Sequence, residues 1–253
     1  MTADAQVTEF DTVAGWTARA VAGCDRRVAV SCACRGSGSP ATLAWLAEAL
    51  QVGADTRFID IGAGLGGPAA WLADRYQAAP VACDPMRHAC AGARRLFDLQ
   101  AVCADATRLP WPDGTFDAGW MLAMLDTVAW PRDPLVEARR VLSPDGRLGL
   151  LSYVATGAIP PSDVPTGNHF QTETQLLHTI GTAGLGVVDR VEGTDLPTAP
   201  SEWQHHQEEI TTTLELRHGG DPRWVEAQRQ QETFAALLEA GLVETVALGL
   251  RPI

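Results

Sequence analysis

The chain has 253 residues, 46% hydrophobic and 20% charged, which is enough apolar content to bury a sizeable core and excludes a disordered chain. Its formal charge is −12, and all 19 basic residues are arginine with no basic run. Nucleic acid and anionic membrane surfaces are therefore excluded as partners, because both need clustered cations.

No apolar run approaches the ~18 residues of a membrane span. The opening MTADAQVTEFDTV is too acidic and polar for a secretion signal, so a cytoplasmic monomer or homodimer is expected. Residues 9–22 suit a short helix. SCACRGSGSP (31–40) reads as a loop. Cys32-Ala-Cys34 lacks the spacing and the second pair of a zinc site, so no metal is expected. A redox or ligand role for Cys24, Cys32 and Cys34 stays open, whereas Cys83, Cys90 and Cys103 read as small buried hydrophobes.

Ser39 can cap, and Pro40 can start, a helix over 41–50 with Leu43, Leu46, Ala47 and Leu50 on one face. Strands then alternate with helices. Strands are expected over 57–61, 80–84, 101–105, 116–122 and 147–154, and helices over 67–76, 87–99 and 133–142. That alternation predicts crossover units and a parallel sheet. ATGAIPPSDVPTGNHF (155–170) is a long proline-rich loop. Thr172 and Gln175 form a capping box for a helix ending at Ala183, followed by a strand over 185–191. Residues 195–240 are polar and helix-prone. A last strand over 243–250 can pair antiparallel with its predecessor.

The stretch FIDIGAGLGGPAAWL (58–72) contains Gly62, Gly64 and Gly67 at the spacing of a dinucleotide-binding turn. Two acids favour a different ligand, a nucleoside carrying a cationic sulfonium. Asp60 ends the first strand where a dinucleotide turn is usually apolar. Asp105 ends the third, where it can receive an adenine amino group, with Ala106 leaving a backbone N–H for the ring. Asp84, 20 residues after Gly64, can hold ribose hydroxyls in either case.

The runs DIGAGLGGPAAWLA, ACDP, ADATRLPWPDGTFDAGW and EARRVLSPDGRLGLLS resemble class I S-adenosylmethionine-dependent methyltransferases, in particular bacterial small-molecule enzymes that tailor natural products. The resemblance covers about residues 40–155 closely. It implies an α/β Rossmann-like fold, with seven mainly parallel strands, an antiparallel last strand, helices on both faces and a helical lid. The expected organisation is an N-terminal helical cap (1–45), a donor-binding core (46–155), the remaining core elements with a substrate lid (156–240), and a final core strand (241–253).

The resemblance further implies that Gly62, Ala63 and Gly64 line the methionine portion of the donor, with Asp60 organising the loop. Asp84, Pro85 and Met86 would hold the ribose, Asp105 and Ala106 the adenine, and Trp120 and Met121 would flank the methyl group. The implied cofactor is S-adenosylmethionine, leaving as S-adenosylhomocysteine. Trp16, Trp120, Met124 and Trp203 are candidates to line a pocket for a bulky, partly apolar acceptor. Tyr153 and His169 are the catalytic candidates. His205, His206 and His218 read as surface residues.

One departure matters. After the fourth strand, relatives commonly read W-S-L-E-V-L-x-H, whereas this chain reads WMLAMLDT (120–127). Ala123 and Thr127 replace the acid and the histidine. The base can come from elsewhere, the acceptor can need none, or the donor can be bound without methylation. The functional expectation is methyl transfer to a small molecule at an O, N, S or C atom. The alternatives are a donor-binding cyclase on the same fold and, less well supported, a nicotinamide-dependent reductase.

Overall fold

In the computed structural model, which describes residues 3–34 and 36–253, three helices come first: α1 (Ala3–Ala20), α2 (Arg26–Ala33) and α3 (Pro40–Ala49). Met1, Thr2 and Arg35, within the expected cap and loop, lie outside the described residues. The alternating core follows: β1 (Phe58–Ile61), α4 (Gly67–Tyr76), β2 (Val81–Asp84), α5 (Arg87–Phe97), β3 (Gln100–Cys103), β4 (Phe116–Leu122), α6 (Arg132–Val141) and β5 (Leu142–Ala155). After a long strap come β6 (Gln171–Thr172), α7 (Glu173–Thr182), β7 (Leu185–Glu192), α8 (Ser201–His218), α9 (Pro222–Glu239) and β8 (Val243–Pro252).

The strands form one sheet in the order β3-β2-β1-β4-β5-β8-β7. All neighbours along it are parallel except where β8 runs antiparallel between β5 and β7. The two-residue β6 adds an eighth strand beside β5, one more than the seven expected, because Val154 and Ala155 extend β5 far enough to pair with Gln171 and Thr172.

Helices bury both faces of the sheet, as parallel strands require. On one side Leu43, Leu46, Leu72, Ala93, Trp120 and Leu151 form a core. On the other, Ile59, Met121, Leu135, Val141, Leu148 and Ile180 form a second. Trp120 and Met121 are successive residues of β4, so their side chains point to opposite faces.

The expected capping box is present at Thr172 with Gln175, and the expected cap Ser39 forms a box of its own with Thr42. At α5 the cap comes from elsewhere. Met86 supplies no side-chain cap, and Asp11 of α1 instead accepts from the N–H groups of His88 (2.7 Å) and Ala89 (3.3 Å) and pairs with the His88 ring.

Two expectations are corrected here. Residues 31–33 are the end of α2 rather than a loop, with Asp25 as its N-cap and Cys34 as its C-cap, and Cys32 and Cys34 are buried. Only Cys24 of that trio is exposed, and so is Cys103, whose thiol donates to the Pro85 carbonyl. His206 and His218 are packed rather than free on the surface. His206 Nδ1 lies 3.0 Å from Ser31 Oγ, and the His218 ring stacks on Trp16 at 4.0 Å. His205 is exposed beside Glu209, as expected.

The end of α2 sits on the start of α4. A Cβ on Gly67 would lie 2.4 Å from the Ala33 carbonyl carbon and 2.6 Å from the Cys34 nitrogen. Both obstacles are backbone. Gly67→Ala should therefore cost about 3 kcal/mol or more and pry α2 from the glycine loop. Thermal unfolding checks this, and a loss below about 1 kcal/mol would show that the contact is slack.

Candidate active site

The glycine loop joins β1 to α4. Gly62, Gly64 and Gly66 have φ of +77°, +53° and +75°, which side-chain-bearing residues rarely adopt. The N–H groups of Gly62 and Ala63 donate to the Cys83 carbonyl at 2.8 and 3.0 Å, pinning the loop to β2. At Gly64 nothing lies within 4 Å of the Cβ direction, so a ligand can approach the backbone there. At Gly62 that direction meets the Met124 side chain at 3.1 Å, which brings the turn after β4 against the loop.

Asp84 ends β2 and is buried. Its Oδ2 accepts from the Gly64 N–H and its Oδ1 from the Met86 N–H, each at 2.8 Å. Burial raises its pKa, and the two N–H bonds pull it back. Each carboxylate oxygen keeps a lone pair for a further donor, such as a ribose hydroxyl. Pro85 is exposed and Met86 half-buried beside it. Asp105 follows β3 and is exposed, with Oδ1 accepting from the N–H and hydroxyl of Thr107 at 2.8 Å, and Ala106 is half-buried. Asp11 links α1 to this edge through the first turn of α5.

Asp60 lies beneath the loop, 1% exposed. Burial pushes its pKa up to about 7, while the Trp120 indole and the Ala69 N–H act in the opposite direction. The indole stops short of hydrogen-bond geometry, so Oδ2 of Asp60 and Nε1 of Trp120 are both left without a partner. Trp120 is fully buried, edge-on to Phe58 at 4.9 Å. Met121 is fully buried on the opposite face of the sheet.

On the acceptor side, Tyr153 near the end of β5 is half-buried. Its hydroxyl donates to the Gly36 carbonyl at 3.2 Å, and its ring meets Phe234 of α9 edge-on. Burial and the negative charge of Asp126 hold this phenol protonated well above the usual range, so it can donate a hydrogen bond but not act as a base. His169 is exposed, with its backbone N–H on the Asp126 carbonyl at 2.6 Å. An open cleft of about 600 Å³ is lined by Ala155, Ile159, Val164, Asn168, His169 and Phe170.

Trp16 and Trp203 are packed on helices. Trp16 packs with Leu214 and Trp224 between α1, α8 and α9, under Arg223. Trp203 is half-buried against the core on the α2 side. Asp126 was not singled out from the sequence. It lies in the short turn Leu125–Thr127 after β4, 5% exposed. The available signal was a lone acid in the apolar run LAMLDTVAW.

Residues 59–150 match the family described as methyltransferase domain. This stretch is a methyltransferase domain. The curated relatives agree. Methyltransferase GfsG of Streptomyces halstedii is 35% identical over 132 residues, 48% of this chain and 45% of that protein. A demethylmenaquinone methyltransferase of Beutenbergia cavernae is 37% identical over 126 residues, 49% of this chain and 52% of that protein. The chain spans about half or less of the length of the curated relatives it matches.

Among solved structures, the [4+2]-cyclase SpnF superposes with a TM-score of 0.66 at 25% identity, covering 83% of this chain and 80% of that one. A geranyl diphosphate methyltransferase in complex with its S-adenosylmethionine donor superposes at 0.63 with 17% identity, covering 84% and 85%. The strand tips of this domain offer three features to a ligand. They are an open approach at Gly64, spare acceptor capacity on Asp84, and one unpartnered oxygen on the buried Asp60. Among the described residues no cluster of three metal-ligating side chains occurs, and no helix is long and apolar enough to cross a membrane.

Proposed function

We propose that the chain transfers the methyl group of S-adenosylmethionine to a small-molecule acceptor by in-line displacement. The observation that carries this reading is the clasp formed at adjoining strand tips. The Asp84 carboxylate holds the Gly64 and Met86 N–H groups while the Gly64 backbone faces open space. The donor brings its own activation as a sulfonium, so the protein has to align it with the nucleophile and exclude water. In this reading Asp84, Pro85 and Met86 hold the ribose, Asp105 and Ala106 the adenine, and Gly62, Ala63 and Gly64 the methionine portion. Asp60 faces the positive end of that portion through the loop.

The lid is built from α1, α8, α9 and the strap 156–170. Phe234, beside both Tyr153 and Phe170, favours a bulky, partly apolar acceptor. The reaction is set in the cytoplasm, where thiols persist reduced.

Incubation with methyl-tritiated donor and a cell extract tests the reading. Label in an organic-soluble small molecule is expected. A second reading, a donor-dependent catalyst that transfers no methyl group, is favoured by the likeness to a [4+2]-cyclase and by Ala123 and Thr127 in place of the acid and histidine. It predicts tight binding of the donor with no labelled product.

Donor binding should also release protons. The free Asp60 has a pKa near 7, and a cationic ligand favours its ionised form. Binding at pH 7 then releases about half a proton, and affinity rises with pH up to roughly 8. Calorimetry in two buffers of different ionisation enthalpy reads this directly. Identical heats in both would remove Asp60 from the donor site.

A further inference from the structure

We propose that Asp126 is the general base of the acceptor site, and hence that the acceptor presents a neutral hydroxyl. The inference rests on the methyl-transfer reading above and adds the acceptor's chemical class. Asp126 lies two residues beyond Met124, whose side chain packs on Gly62 of the donor loop. Ala123 enters this turn with φ +52°, a conformation uncommon for a side-chain-bearing residue. Strained backbone of this kind persists where the surroundings enforce it, as at functional sites.

The carboxyl group is fixed but incompletely used. Asn168 Nδ2 donates to Oδ2 at 2.9 Å, and the Asp126 backbone carbonyl accepts from the His169 N–H. Oδ1 is buried and has no partner. An asparagine would serve the strap equally well, and a buried oxygen without a donor is costly. A hydroxyl proton supplies the missing donor, whereas an acceptor that arrives as an anion would be repelled.

Tyr153 of β5 is held protonated, and the His169 ring on the strap is exposed. Burial raises the Asp126 pKa to about 6, so it is ionised at neutral pH yet holds a proton better than an exposed carboxylate.

In the step, the acceptor oxygen forms a bond to the methyl carbon as the carbon–sulfur bond breaks. That bonding pair stays on sulfur, giving the neutral thioether. The hydroxyl proton passes to Oδ1 of Asp126 and then to water.

The test uses the full chain, methyl-tritiated donor and a fixed panel holding a phenol, an aliphatic alcohol, a carboxylic acid, a thiol and an amine. The wild-type chain is expected to label a hydroxyl member, with the rate falling as pH drops below about 6. Asp126→Asn should cut kcat at least ~100-fold and abolish that acidic limb, with affinity for S-adenosylhomocysteine unchanged. Asp126→Glu should recover part of the rate, and the unchanged calorimetric affinity reports that each variant is folded. The proposal is overturned if Asp126→Asn keeps its rate on hydroxyl acceptors within threefold, or if only the acid, thiol or amine is labelled. Donor-product binding without label in any panel member overturns the methyl-transfer reading as well.

Discussion

Asp84→Ala will weaken binding of S-adenosylhomocysteine by at least ~100-fold while leaving the chain folded. The carboxylate makes two 2.8 Å bonds to backbone N–H groups, those of Gly64 and Met86. Charge-assisted bonds of this kind contribute about 1.5–3 kcal/mol each. Removing both frees the loop at Gly64 and also deletes the acceptors for the ribose hydroxyls. Asp84→Asn separates these contributions. An amide has one oxygen, so it can satisfy Gly64 or Met86 but not both, and a loss of roughly tenfold is expected. Calorimetric titration of the three proteins gives the series. Equal affinities would show that the clasp is only a turn stabiliser.

The second large effect has opposite signs in two measurements. Asp60→Asn should raise the melting temperature at pH 8 and weaken donor binding. Asp60 has a folded-state pKa raised to about 7, against 3.8 for an ordinary aspartate. The folded chain therefore holds more protons than the unfolded chain between about pH 4 and 7. Stability falls as pH rises through that window, and the cost is complete above it. Three pKa units correspond to about 4 kcal/mol for a fully buried group.

Asparagine removes the charge but adds an N–H that competes with the Trp120 indole for space, so part of the gain is lost. A rise of about 4–8 °C at pH 8 and none at pH 5 is expected in scanning calorimetry, at roughly 2–4 °C per kcal/mol for a chain of this size. A melting temperature lowered at pH 8, or unchanged donor affinity, would contradict this account. Asp60 would then be a site where stability is given up so that a buried anion awaits a cationic ligand.

The alternating core was legible in the sequence because each element announced itself locally. β4 (Phe116–Leu122) and α4 (Gly67–Tyr76) have the expected boundaries, and the Ser39 cap and the Thr172–Gln175 capping box identify their helices with no tertiary information. The glycine loop and the acids at 60, 84 and 105 fall at successive strand tips for the same reason. Their positions follow from strand ends, and strand ends follow from local patterns.

The failures were of two kinds. Residues 26–33 form α2 although Ser31, Cys32 and Cys34 beside Gly36 and Gly38 look like a loop. The decisive signals were the Asp25 cap and the seat that the Gly67 gap offers on α4, and the second is purely tertiary. Asp11 as the cap of α5, 77 residues away, has no sequence signature. Asp126 has no distinctive local signature, since it falls between Ala123 and Thr127, where the relatives' acid and histidine are replaced. Only burial and an oxygen left without a partner distinguish it from a surface turn acid.

The insertion of β8 between β5 and β7 has a consequence for synthesis on the ribosome. The 60 residues between Glu192 and Pro252 must be translated before β7 gains its neighbour, about 3–12 s at typical elongation rates. Until then the β5 and β7 edges both stand open to pairing with other nascent chains. Closure of the sheet is thus a late event, and a stalled or truncated product ending before residue 243 should aggregate rather than persist as a soluble fragment.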